Sequence, residues 1–280
     1  MKNRFKPCAL ILALLMCVSL FAGCSKSNEP GYTAVDTQAN ALMEVKSGTA
    51  DVAIIDYTMA KTMTGEGTDY SDLQIIDGIE LAVEEYAIGF RNGSNLVGQV
   101  NDAMNKLLQD GTLAEIAEKY DLTLSMLESF TPSDEAGTAE EDDWAYIQEK
   151  GKLIIGITEY APMNYYDESG RLIGFDTEFA EAVCEILGVT PEFIVINWDT
   201  KEIELQAKSI DCIWNGLTVT EERKENMDFS ASYIKNMQVP VIASKNKDRF
   251  KTVDDLKKAA LVAEAGSAGE TEAKSLAGVE

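Results

Sequence analysis

Apolar and polar positions alternate along this chain in two patterns. Short, nearly continuous apolar runs predict strands at "DVAIIDY" (51–57), "KLIIGIT" (152–158), "PEFIVIN" (191–197), "DCIWNG" (211–216), "PVIAS" (240–244) and "ALVAEA" (260–265). Runs of this kind, rather than strict alternations, suit strands covered on both faces. Between them, "ANALMEVKS" (39–47) and "TEFAEAVCEIL" (177–187) space their apolar residues as one face of a helix. Val97, Val100, Met104, Leu107 and Leu108 repeat at helical spacing. Gly111 ends that helix, and Thr112 with Glu115 predicts a capping box for the next. Trp214 sits inside an apolar strand and is expected in the core. The pattern as a whole predicts an α/β fold with mostly parallel sheets.

Two segments repeat one plan. "ALMEVKSGTADVAIIDYT" and "EIELQAKSIDCIWNGLT" each read as helix, Lys-Ser turn, acidic residue, apolar strand, and a polar residue where the strand ends. Two α/β lobes presenting polar groups at the carboxyl ends of strands would hold a ligand in the crevice between them. Helix–turn–strand units also recur by chance, and the pattern alone leaves both readings open.

Composition narrows the chemistry. The 280 residues carry 24 Lys+Arg against 48 Asp+Glu, a net charge of −24. Such a field excludes nucleic acid as a partner, since phosphate affinity comes from clustered bases. With no histidine in the sequence, His-based relays and His-ligated metals are excluded too, and no cofactor is indicated. The first residues, "MKNRFKPCALILALLMCVSLFAGC", place bases before an apolar run and then small residues, the layout of an export signal over 1–23. "FAGC" resembles a bacterial lipobox, which implies lipidation of Cys24 and a tether over 24–31. The folded part is therefore expected outside the cytoplasm, anchored to the membrane's outer face or periplasmic. Cys184 and Cys212 read as small core residues, although export would permit a disulfide. "TPSDEAGTAEEDD" (131–143) reads as a solvated acidic linker.

Several residues could hold a ligand. Arg223 follows Thr218 and Thr220 past the strand ending at Asn215, which predicts a crevice position rather than a helix face. A guanidinium there binds carboxylate bidentately, with Thr218 as a further donor. Pairing with Glu221 or Glu222 is the competing reading. Asp56 closes a buried apolar run, so it either caps the helix beginning "YTMAK" or accepts an ammonium. "EAGSAGE" (264–270) bares backbone N–H groups ahead of a helix, which favours an anion. Tyr160 and Trp198, beside polar turns, could wall an apolar stem or serve as packing. A cation for carboxylate, an anion for ammonium and rings between them suit a zwitterionic amino acid. No nucleophile–base pair accompanies the set.

"GKLIIGITEYAPMNYYDESGRLIGFDTEFAEAVCEILG", "DCIWNGLTVTEERKENMDFSASY" and "DGTLAEIAEKYDL" resemble the polar amino-acid solute-binding proteins of bacterial ABC importers. The resemblance implies a two-lobed type II periplasmic-binding-protein fold with a two-strand hinge, working as a monomer with a membrane permease as partner and without catalysis. It implies Arg223, Thr218 and the backbone around Gly216 for the α-carboxylate, and Asp56 for the α-ammonium. The turn of Gly266, Ser267 and Ala268 would add donors, and Tyr160 and Trp198 would form aromatic walls. Where Ala268 stands, the family often has a hydroxyl residue. Segment order departs from the family, because the portion beginning "WAYIQEKGKLIIG" comes first there. The chain thus resembles a circular permutation. One lobe would combine 90–122 with 144–236, the other 32–86 with 240–280, and hinge strands would lie near 84–90 and 237–243. Two alternatives remain: a dehydratase-type enzyme with Glu159 as acid, or a sensor serving a signalling receptor.

Overall fold

The computed structural model describes residues 29–123, 125–127, 129–130 and 142–279. The predicted signal, Cys24 and nearly all of the acidic linker lie outside the described residues. Among the described residues no helix is long and apolar enough to cross a membrane.

The chain runs through β1 (Gly31–Val35), α1 (Gln38–Ser47), β2 (Val52–Asp56), α2 (Tyr57–Met63), β3 (Leu73–Ile75) and β4 (Ala82–Tyr86). It then crosses to β5 (Gly89–Arg91), α3 (Leu96–Gln109) and α4 (Thr112–Lys119). Next come α5 (Asp143–Lys150), β6 (Lys152–Ile157), β7 (Tyr165–Tyr166), β8 (Leu172–Ile173), α6 (Phe175–Leu187) and β9 (Thr190–Val195). After α7 (Lys201–Gln206), β10 (Cys212–Ile213), α8 (Glu221–Asn226) and β11 (Met227–Phe229), it returns through β12 (Ile234–Ala243), α9 (Val253–Leu256), β13 (Ala260–Glu264) and α10 (Ala268–Ala277).

Local chemistry explains the ends of these elements. Thr37 caps α1 by accepting from the Asn40 N–H, and Gly48 ends it in the left-handed region. Ser267 caps α10 by accepting from the Glu270 N–H. The capping box expected at Thr112 and Glu115 does not form. Gly111, at φ 90°, is itself the cap, and Thr112 already lies inside α4. Its N–H is taken instead by the Asp110 carboxylate, 2.9 Å away.

Among the described residues two large sheets form, ordered β1-β13-β2-β12-β3 with β4 on β12, and β11-β5-β10-β6-β9, and β7 pairs with β8 in a small third. Each large sheet has three adjacent parallel strands, β1-β13-β2 in one and β10-β6-β9 in the other. One strand in each runs against the rest, because β2, β3 and β4 all pair antiparallel with β12, and β10 and β11 with β5, so each large sheet is mostly parallel with a single reversed strand. The chain crosses between lobes at Ala87–Ile88 and returns at Ser230–Tyr233, ahead of the 237–243 stretch expected there, which lies inside β12. Hydrogen bonds from Ser230 N to Ile88 O (2.9 Å) and from Tyr233 N to Tyr86 O (2.9 Å) knit the two crossings together.

The internal echo is a structural one. β2 and β10 each lie between a parallel neighbour and an antiparallel hinge strand. Asp51, opening β2, accepts from Ala260 N and pairs with Arg249; Asp211, opening β10, accepts from Ile154 N and pairs with Lys150. Trp214 is fully buried against the edge of Phe179, ring centroids 5.2 Å apart. Cys184 and Cys212 are buried free thiols, so the disulfide that export would permit is absent.

Candidate functional site

The repeated plan ends in two polar residues, Asp56 closing β2 and Asn215 just past β10, and both face a hollow between the lobes. One lobe lines it with Gln38, Asp56, Glu264, Ser267 and Ala268, the other with Thr158, Tyr160, Trp198, Asn215, Gly216, Thr218 and Arg223. Its volume is about 10 Å³, room for roughly one water. The two lobes meet closely around it and leave little free space.

Arg223 is in the first turn of α8, a helix capped by the Thr220 side chain, and not in the helix-free crevice expected for it. The helix nevertheless points it inward. The residue is 7% exposed, and its guanidinium donates to Thr218 O at 2.7 Å and across the lobes to Gly266 O at 3.0 Å. Glu221, a rival partner, pairs with Lys224 instead. Beside Arg223 lies Lys201, which the sequence analysis missed. It is 4% exposed and donates to Gly266 O at 2.9 Å and to Trp198 O at 3.2 Å, with its ammonium 4.9 Å from the Trp198 ring centre. Burial, then repulsion by Arg223, pulls its amine down to about 8. The Gly266 turn, at φ 70°, leaves no room for a side chain, because a Cβ would stand 2.9 Å from the Asp199 backbone.

Asp56 does not cap α2 with its side chain. Its Oδ1 accepts from the Tyr86 hydroxyl (2.7 Å), Asn236 (2.6 Å) and Gln238 (2.9 Å), and its Oδ2 accepts from Gln38. The Asn236 and Gln238 amides also donate to Glu84, at 2.5 and 2.8 Å. Burial and the nearby Asp56 carboxylate hold Glu84 well above the usual carboxylate range. On the other flank, Glu264 is 3% exposed, and burial followed by repulsion from Asp56 pushes it up to about 8.

Tyr160 joins the lobes, its hydroxyl 2.6 Å from that of Tyr86. Gly216, at φ 55°, lets both rings close in, since a Cβ there would meet Tyr160 Cε1 at 2.6 Å and Tyr86 Cε2 at 3.1 Å. Its N–H, expected as a ligand donor, is instead spent on Asp176 Oδ2 at 2.7 Å. Thr158 and Asn215 support the same wall, linked at 2.6 Å. Trp198 is 5% exposed and lines the hollow, as do Thr218, Ser267 and Ala268. The Ser267 hydroxyl donates to Glu264 O and accepts from Glu270 N, so it serves the cap. Glu159 is exposed and outside the lining. Of the residues missed, Gln38, Lys201 and Glu264 carry most of the remaining polarity, and none stands out in sequence from an ordinary helix or strand residue.

Residues 153–269 match the family model of bacterial extracellular solute-binding proteins, family 3. The L-cystine-binding protein TcyJ of Escherichia coli is 34% identical over 112 residues, covering 40% of this chain and 42% of that protein. The arginine-binding extracellular protein ArtP of Bacillus subtilis is 32% identical over 128 residues, covering 45% and 49%. A histidine-bound ABC uptake transporter substrate-binding protein from Streptococcus pneumoniae is 38% identical, covering 31% of this chain and 36% of that one, with a TM-score of 0.31. The chain spans less than half the length of the relatives it matches.

Proposed function

We propose that this chain, whose residues 153–269 match the family model of bacterial extracellular solute-binding proteins, family 3, captures an amino acid outside the cytoplasm and passes it to a membrane ABC importer. The observation that carries this reading is that Arg223 and Asp56 line one hollow from opposite lobes. Arg223, with Thr218 and Lys201 beside it, takes the α-carboxylate, and Asp56 takes the α-ammonium through Oδ2, the oxygen with fewer donors. Tyr160 and Trp198 exclude water from both ion pairs.

Because the ligand touches both lobes, its binding energy favours the closed state over the open one. The Gly266 carbonyl already draws on Arg223 and Lys201, so a ligand carboxylate would compete for the same donors. Lipidation at Cys24 would keep the monomeric chain beside its permease. A dehydratase-type activity is disfavoured, since Glu159 is exposed and away from the hollow. The order of segments reads as a circular permutation. In support, β1 lies parallel beside β13 and α10 packs on both, so the helix after β13 sits where it would lead into β1.

A thermal-shift screen of the full chain against the twenty amino acids, cystine and ornithine tests the capture reading. A true ligand at a hundred times its Kd stabilises by about 2.7 kcal/mol, and its N-acetyl and carboxamide derivatives should not. Equal binding of the blocked forms, or no response to any amino acid, overturns it.

A further inference from the structure

The acidic groups around the hollow exceed what one α-ammonium requires. Asp56, Glu84 and Glu264 are 5, 8 and 3% exposed. Among the described residues none of them has a cationic nitrogen within ion-pair distance, and amides link them instead. Asn236 and Gln238 bridge Glu84 to Asp56, and Gln38, donating to Asp56, also reaches Glu264. The two buried cations beside the hollow, Arg223 and Lys201, are turned to the Gly266 carbonyl. The hollow therefore has a cationic end and an acidic end. An α-carboxylate answers the first, and an α-ammonium on Asp56 answers part of the second.

Glu84 lies behind Asp56 and does not line the hollow, whereas Glu264 does. A buried carboxyl facing a cavity, with no cationic nitrogen at ion-pair distance, either keeps a proton or takes a cation from the ligand. The groove that opens from the hollow has a volume of about 610 Å³ and shares Thr218, Arg223, Ser267 and Ala268 with it. Its further charged lining is Glu84, Asp199, Glu202, Glu222, Glu270 and Glu272, with Lys201 and Lys274 as opposing bases. Acidic walls raise the local concentration of a cationic ligand and repel a ligand of net negative charge.

Resting on the capture reading, we propose that Glu264 sets the specificity of this cleft and that the captured amino acid carries a second cationic group, which pairs with the Glu264 carboxylate. The ligand class is thus basic amino acids rather than uncharged or acidic ones. The groups facing Glu264 are Asp56 from β2, Gln38 from α1, Lys201 from α7 and Arg223 from α8. Glu264 is pushed up to about 8 by burial and by Asp56, so near neutral pH it carries a proton. An incoming cation displaces that proton to solvent.

The test is titration calorimetry of the full chain at pH 7 with L-lysine, L-ornithine, L-arginine, L-glutamine and L-glutamate, in two buffers of different ionisation enthalpy. At least one basic ligand should bind tenfold or more tighter than glutamine, releasing close to one proton per ligand. Glu264→Gln should cut the ratio of basic-ligand to glutamine affinity at least tenfold, and Glu264→Asp should restore part of it. Tighter binding of glutamine than of all three basic ligands by the unsubstituted chain overturns the proposal and leaves capture standing. Basic-ligand binding without proton release, or a ratio unmoved in a folded Glu264→Gln chain, also overturns it. If no amino acid binds at all, the capture reading falls as well.

Discussion

Replacing Arg223 with alanine removes the cation on which the carboxylate end of the cleft depends. The residue is 7% exposed, and its guanidinium donates two hydrogen bonds, to Thr218 O at 2.7 Å and Gly266 O at 3.0 Å. Truncating one partner of a buried, hydrogen-bonded charge pair costs roughly 2–5 kcal/mol, or roughly 30- to 4,000-fold in affinity. Two features of the site place the effect inside that range. Trp198 and Tyr160, 5 and 3% exposed, keep water from replacing the lost donors, which pushes the cost up. Lys201, 2.9 Å from the same Gly266 oxygen, is a second cation able to turn to the ligand, which pulls it down. The expected loss is therefore on the order of a hundredfold to a thousandfold. Arg223→Lys should recover only part, because an ammonium lacks the planar fork. Calorimetry of the ligand found in the screen measures the effect, with circular dichroism confirming that the fold persists. A loss smaller than fivefold in a folded Arg223→Ala chain refutes the assignment of this end of the cleft.

Three further outcomes are expected. Glu264 rises from an ordinary 4.5 to about 8 in the fold, so the folded state holds a proton that the unfolded chain releases. Its stabilising contribution is full below pH about 4.5 and lost as pH rises through about 8. The Tm of the ligand-free chain should fall across that window, and less steeply in Glu264→Gln; an identical slope in both chains counts against this. Gly216→Ala drives a Cβ to 2.6 Å from Tyr160. It should cost about 1–3 kcal/mol in urea unfolding and weaken ligand binding, and unchanged values would contradict the close packing of the two tyrosines. Asp211, 2% exposed in its side chain, pairs with Lys150 at 2.7 Å. Asp211→Ala should cost roughly 3–5 kcal/mol, a Tm drop on the order of 10 °C by calorimetry, whereas Lys224→Ala on the surface should cost under about 1.

Part of this was readable from residue order alone. Continuous apolar runs marked β2, β6 and β13, and helical spacing marked α1 and α6, because these elements depend on neighbours within a turn or a pleat. The shared plan ending at Asp56 and Asn215 pointed to two facing lobes, and Arg223 with Asp56 to a common cleft. The helix carrying Arg223 was not readable, since α8 is only six residues long and is set by the Thr220 cap. The Gly216 N–H could not be withdrawn from the ligand without knowing that Asp176 lies beneath it.

Lys201 and Glu264 show the limit most clearly. In "DTKEIE" and "ALVAEA" they read as a solvated helix residue and a strand end. The meeting of the two lobes brings Lys201 to Gly266, and the pairing of β13 with β2 inside one lobe sets Glu264 beside Asp56. Local periodicity determined which segments became helix and strand. Burial and charge pairing act through space, between residues far apart in the chain, so which charged groups meet in the cleft was decided by the tertiary structure.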